Sequence, residues 1–146
     1  MNYNSGTEQG NPHTLYKMGT KYLFGEGVDE DRNKAMGLFI EGGQNGNGNA
    51  AFALGVMFFD MLEGPNASQQ IANDAYTVWA MLVLDGHTQI YTGLKMLYPQ
   101  YFDQLSQCVQ VMTTKITRDQ KYVFDNDELV DFIQKKIQQK LSDMFG

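Results

Sequence analysis

The sequence is poor in the features that mark disulfide-stabilised, membrane-spanning and nucleic-acid-binding proteins. Its 1 cysteine, Cys108, can form no disulfide within the chain, and its apolar neighbours favour a buried thiol. No apolar run approaches the roughly 18 residues that a membrane span needs. No basic cluster is longer than the pair Lys135-Lys136, so the basic stripe typical of duplex binding is missing. We therefore expect no membrane span and no nucleic-acid partner.

The sequence also lacks the common catalytic, cofactor-binding and metal-binding motifs. His13 and His87 stand far apart without an HExxH pattern or paired cysteines, which leaves zinc without a visible ligand set. The glycines of YLFGEGVDEDRNKAMGLF, residues 22–39, do not complete a phosphate-binding or dinucleotide-binding loop. In a calcium loop, Lys34 would replace the glycine and Ile40 would replace the bidentate glutamate. We expect no metal, no cofactor, no catalytic residue and no enzymatic activity.

The composition predicts one folded, acidic domain. Of the 146 residues, 42% are hydrophobic and 19% are charged, which is too apolar for a disordered chain. The formal net charge of −6 favours a basic partner protein. The first residues, MNYNSGTEQGNPH, show neither the basic nor the apolar region of a signal peptide. We expect a cytoplasmic protein, or a periplasmic or secreted one if a leader has been removed.

Apolar residues at three- and four-residue steps predict helices that are separated by glycine-rich corners. Gly25 and Gly27 supply the positive φ of a tight corner, and Asp29 or Asp31 is suited to cap the helix that follows. The glycine- and asparagine-rich stretch 41–49 predicts a loop. The predicted helices cover about 13–24, 31–39, 49–62 and 72–84.

The two predicted helical hairpins align with each other as a repeat. Their first helices match at an offset of 36 residues, and their second helices match at an offset of 40. The matched positions are Met18-Gly19 with Leu54-Gly55, Tyr22 with Phe58, Ala35 with Ala75, Phe39 with Trp79, and Gly46 with Gly86. A period of this size indicates stacked helical hairpins.

The stretch from Leu15 to Gly46 resembles a Sel1-like repeat, a relative of the tetratricopeptide repeat. The resemblance is carried by Met18-Gly19, Tyr22, Gly25-x-Gly27-Val28, Asp31, Lys34-Ala35, Phe39 and Gly46. It implies an all-α fold, a short right-handed α-solenoid of Sel1-like helical hairpins with C-terminal capping helices. It also implies a polar lead-in at 1–12, repeat 1 at 13–48, a degenerate repeat 2 at 49–88, and a degenerate third unit with capping helices at 89–146.

The resemblance further implies a protein-protein interaction module, in bacteria often a scaffold, an adaptor or an immunity protein that neutralises a toxin. If the first helix of each hairpin lines the concave face, its positions outside the repeat pattern form the expected protein-binding site. These positions are His13, Tyr16, Thr20, Phe24, Asn49, Phe52, Val56 and Phe59, and all of them except His13 are predicted binding residues. Because aromatic side chains dominate binding hot spots, we expect Tyr16, Phe52 and Phe59 to contribute most. In the alternative, Phe52 and Phe59 pack beneath the third unit.

The C-terminal third predicts two amphipathic helices. The first places Leu105, Cys108, Val109, Met112 and Ile116 on one face. The second, DNDELVDFIQKKIQQKLSDMF, places Leu129, Phe132, Ile133, Ile137, Leu141 and Met144 in one stripe. We expect this last helix to close the exposed end of the repeat stack. Two alternatives remain, a structural homo-oligomer such as a homodimer assembled through this helix, or an enzyme with its site in the C-terminal third.

Overall fold

The chain is described here by a computed structural model, which covers residues 11–85, 88–113 and 122–145. Within those ranges the regular structure is helical apart from one isolated bridge between Asn47 and Val123. The helices are α1 Pro12–Phe24, α2 Arg32–Gln44, α3 Gly48–Leu62, α4 Gln69–Leu84, α5 Thr88–Leu97, α6 Phe102–Thr113 and α7 Asn126–Phe145, with a 3₁₀ turn at Pro99–Tyr101. They pack in adjacent pairs, which confirms the predicted all-α helical-repeat fold.

The corner between α1 and α2 forms as the glycines predict. Asn11 caps α1 by accepting a hydrogen bond from the backbone N–H of His13 at 2.9 Å. Gly25 ends the helix with a φ of 67°, and Gly27 continues the reversal with a φ of 78°. Asp31 then caps α2, because its carboxylate accepts the backbone N–H of Lys34 at 3.0 Å. The stretch that begins YLFGEG is therefore a helix–helix corner.

The predicted loop at 41–49 is wrong for most of its length. Helix α2 continues to Gln44, and α3 begins at Gly48, so the loop is much shorter than expected. Two glycines inside α2 explain the difference, since they lie directly against the start of α3. A methyl group on Gly42 would lie 2.9 Å from the Ala50 Cβ. These glycines therefore allow two helices to approach closely rather than ending one of them.

The two hairpins repeat one packing contact. A methyl group on Gly19 of α1 would overlap the ring of Phe39 on α2, and a methyl group on Gly55 of α3 would lie 2.6 Å from Trp79 Nε1 on α4. Each glycine thus admits an aromatic ring from the second helix of its own hairpin. Mid-helix glycine costs about 1 kcal/mol against alanine, and this close packing offsets the cost.

The remaining helices cover the second hairpin from two sides. Helix α6 packs on α4, while α5 packs on both α4 and α7. On α6, Leu105 is buried and Cys108 is half-buried, whereas Met112 and Ile116 lie outside the described side chains.

Among the helices of the described ranges, we find no candidate membrane span.

Helix α7 packs on α5, and its side chains also reach the first helices of both hairpins. It covers a surface that we call the α7 groove, formed by Tyr16, Phe24, Asn49, Phe52, Asp60 and Gly93. Its contacts therefore join α1, α3 and α5 from one side. Of the predicted stripe, Leu129, Phe132 and Ile133 are buried and Ile137 packs against the core, while Leu141 and Met144 remain exposed.

Candidate functional site

The predicted binding residues do not form an open surface in this structure. Tyr16, Asn49, Phe52, Val56 and Phe59 are buried, and Thr20 and Phe24 are half-buried. Most of them are covered from within the chain, because α7 occupies the face that the sequence predicts as the concave binding surface. The binding site therefore stays a prediction, and its availability to another protein depends on α7.

Phe132 is the central anchor of α7 in the groove. Its ring centroid lies 5.5 Å from that of Phe24 and 6.4 Å from that of Tyr16, both on α1. It also meets Phe52 of α3 edge-on at 6.0 Å and Phe39 of α2 edge-on at 6.5 Å. Edge-to-face contacts at these distances are favourable beyond the area that they bury. The α7 groove therefore contains one pocket that is shaped for an aromatic ring.

The amino-terminal end of α7 is held by polar contacts. The Asn49 amide donates to the Asp125 carbonyl oxygen at 2.9 Å and accepts the Asp125 backbone N–H at 3.1 Å. The Tyr16 hydroxyl donates to the Glu128 carbonyl oxygen at 3.3 Å. Burial, with a smaller contribution from the charge of Glu128, raises the pKa of Tyr16, so its phenol stays neutral as a donor. His13 Nδ1 lies 3.4 Å from a Glu128 carboxylate oxygen at the edge of the groove.

The other end of the groove holds a buried ion pair. Lys136 is only 4% exposed, and its Nζ lies 2.5 Å from Asp60 Oδ2. The same Nζ donates to Gln139 Oε1 at 2.6 Å. Tyr98 donates its phenolic proton to the other carboxylate oxygen of Asp60, and Arg32 approaches Asp60 Oδ2 at 3.7 Å. Asp60 is therefore surrounded by two cations and one strong donor.

The polar groups of Tyr98, Asp60 and Lys136 pair with one another. Burial, followed by the charge of Asp60, raises the pKa of Tyr98, so the phenol remains protonated at neutral pH and keeps donating to that carboxylate. A cavity of about 700 Å³ opens beside this network, lined by both acidic and basic side chains such as Glu63 and Lys140. Where side chains are described, no group of three His, Cys, Asp or Glu residues is placed to hold a metal ion. Asp60 therefore pairs with the cation that α7 places at position 136.

Phe59 belongs to a different aromatic cluster. Its ring stacks on Tyr101 at 4.4 Å and on Trp79 at 5.6 Å, and it lies 5.3 Å from Tyr98. It thus packs beneath the third unit, as the alternative interpretation expects. Phe52 belongs to both aromatic clusters, since its ring centroid lies 5.0 Å from that of Trp79 and it also contacts Phe132 of α7.

Asp60 is absent from the predicted binding site, although the repeat offset identifies it. Adding 36 residues to His13, Tyr16, Thr20 and Phe24 gives Asn49, Phe52, Val56 and Asp60, not Phe59. Apart from Thr20 and Val56, these equivalent positions all contact α7 or the residue that precedes it. Lys136 was also missed, because a lysine within an apolar stripe suggests no buried partner.

Comparisons with known protein families, with curated proteins and with solved structures found no match. The resemblance to Sel1-like repeats therefore stays a prediction that depends on the motif residues and on the repeated glycine–aromatic contact.

Proposed function

We propose that this protein is a non-catalytic protein-interaction module of the adaptor or inhibitor kind, and that its binding surface is the α7 groove. The proposal depends on one observation, which is that α7 of the same chain already occupies that groove. An amphipathic helix lies in it with an aromatic anchor, Phe132, and a charged anchor, Lys136. This is the helix-in-groove mode by which many proteins bind an amphipathic segment of a partner.

The chemistry of the groove supports recognition of a protein. Aromatic rings from three helices line one pocket, and such side chains are enriched at binding hot spots. The net charge of −6 would speed the encounter with a basic partner. A basic protein that contributes one helix is accordingly the partner class that we expect.

The test is a pull-down from the native host's lysate, with the full chain as bait. After washing, the beads are treated with a synthetic peptide of residues 126–145 or with the same peptide carrying Phe132→Asp. We expect one host protein to be retained and to be released by the unmodified peptide only. Retention of nothing specific, or a retained protein that both peptides release equally, would contradict the proposal.

A second candidate is a structural homo-oligomer assembled through α7. One observation favours it, since Leu141, Met144 and Phe145 are 47%, 74% and 84% exposed at the end of that helix. Contiguous exposed apolar residues often mark an interface. Sedimentation equilibrium of the wild type beside Leu141→Asp tests it, and we expect a dimer that the substitution dissociates. Ile137→Asp is a poorer test, because Ile137 packs against the core.

A further inference from the structure

The contacts of α7 define which helix the groove accepts. We infer that the α7 groove binds a partner's amphipathic helix that presents an aromatic residue and, one turn later, a lysine or an arginine. In this inference, α7 is the built-in competitor of that partner helix. The inference rests on the proposed function, because it names the partner class of the same site.

The aromatic requirement follows from the pocket around Phe132. Four rings, those of Tyr16, Phe24, Phe39 and Phe52, surround it with centroids between 5.5 and 6.5 Å away. A small side chain at this position would leave a cavity that the rigid rings fill poorly, and such cavities are destabilising. A partner helix therefore needs a large planar side chain here.

The basic requirement follows from Asp60. This carboxylate is only 18% exposed, and Tyr98 holds it in place by a hydrogen bond. A neutral residue opposite Asp60 would leave a poorly solvated charge, and an acidic one would add repulsion. The aromatic and basic residues must stand four positions apart, as Phe132 and Lys136 do, because that spacing puts both on one face of a helix.

Competition with α7 sets the affinity for the partner. A tethered helix acts at an effective concentration in the millimolar range, so a free helix must make equal or better contacts to displace it. When α7 leaves the groove, the partner helix makes the contacts that α7 made. The aromatic pocket is therefore not left empty by the exchange. Weakening α7 inside the chain should therefore strengthen binding of a free helix.

The experiment measures this exchange with purified full-length chains. The probe is a fluorescein-labelled peptide of residues 126–145, and its binding is followed by fluorescence anisotropy. The chains are wild type, Lys136→Glu, and Lys34→Glu, which makes the same charge change at an exposed position of α2. We expect Lys136→Glu to bind the probe at least about tenfold more tightly than wild type, and Lys34→Glu to bind it like wild type.

Variant probes test the two requirements separately. With the Lys136→Glu chain, a probe carrying Phe132→Ala or Lys136→Met should bind at least about tenfold more weakly than the unmodified probe. Adding Asp60→Asn to that chain should abolish the preference for lysine over methionine but keep the preference for phenylalanine. Equal binding of all probes would overturn the inference.

Two further outcomes decide the remaining cases. If Lys136→Glu is folded by circular dichroism and binds the probe no better than Lys34→Glu, the inference is wrong. If Lys136→Glu does not fold, hydrogen exchange of the wild type decides instead. Exchange of α7 amides before those of α3 supports a displaceable helix, and exchange of both only on global unfolding overturns the inference. Binding of the probe without any host protein in the pull-down would contradict the proposed function alone.

Discussion

Helices α1 and α3 present equivalent positions to the same neighbour, but they end differently. Tyr16 and Phe52, which lie 36 residues apart, both contact Phe132, whereas the last equivalent pair, nearer the ends of the two helices, is Phe24 and Asp60. The shared positions build a general aromatic surface. The position that differs is Asp60, which stands where α1 has Phe24 and which pairs with Lys136. The proposed selectivity for a basic residue therefore comes from the position at which the two repeats differ.

The largest expected effect tests the shared aromatic positions. Phe52 is fully buried between Trp79 and Phe132, while Tyr16 belongs to the outer helix α1. We expect Phe52→Ala to lower the free energy of unfolding by about 3–5 kcal/mol, and Tyr16→Ala to lower it by less. Urea unfolding followed by far-ultraviolet circular dichroism measures both. An equal or larger loss for Tyr16→Ala would show that the central helix is not the better packed one.

The next effect tests the position at which the two helices differ. Lys136→Met leaves Asp60 without its closest cation and should cost about 3 kcal/mol. The double substitution Asp60→Leu/Lys136→Met removes both charges and should cost clearly less. As a control, Lys135→Met removes a partly exposed pair with Glu26 and should cost at most about 1 kcal/mol. If the double variant is less stable than the single one, the pair contributes net stability rather than selectivity.

A smaller effect tests the glycine–aromatic contact that both hairpins share. Gly19→Ala and Gly55→Ala force a methyl group against Phe39 and Trp79, which should cost about 1–3 kcal/mol each through overpacking. Gly37→Ala serves as the control, because space is open around Gly37 on α2. We expect that variant to be stabilised by up to about 1 kcal/mol. Similar thermal midpoints for all three variants would argue against a repeated close contact.

The smallest effect tests the two corners. Gly25 has a φ of 67°, so Gly25→Ala should cost about 1–2 kcal/mol even though only ordinary contacts surround it. Gly64, in the corner between α3 and α4, is not among the glycines with positive φ. Gly64→Ala should therefore stay within about 0.5 kcal/mol of wild type. The comparison would fail if both substitutions had the same effect on the midpoint of urea unfolding.

Local features of this protein could be predicted from its sequence, because their causes lie within a few residues. The corner at Gly25 and Gly27 and the cap at Asp31 belong to this class. The glycines that face the rings of their own hairpins depend on more distant residues, and only the repeat makes them predictable. The predicted length of α2 is wrong, because Gly42 is a helix breaker by its local pattern but packs against Ala50 of α3 in the structure. The sequence also indicates that α7 is a docking helix, through the spacing of Leu129 and Phe132.

The surface that α7 covers could not be predicted, because it depends on pairs that are distant in the sequence. Lys136 is 76 residues from Asp60, and nothing in either local pattern marks the other as its partner. The same holds for Asn49 and Asp125, also 76 residues apart. The repeat offset links positions of α1 to positions of α3, so it identifies the face but not its occupant.

The position of α7 also has a consequence for synthesis of the chain. The Tyr16 hydroxyl and the Glu128 carbonyl oxygen that it contacts are 112 residues apart, whereas each hairpin closes through far shorter separations. Contacts with short sequence separation form faster, and domains fold from the amino-terminal side as they leave the ribosome. During translation, both hairpins can therefore form while the aromatic pocket is still uncovered. A free helix would then have no competitor for the pocket until α7 emerges.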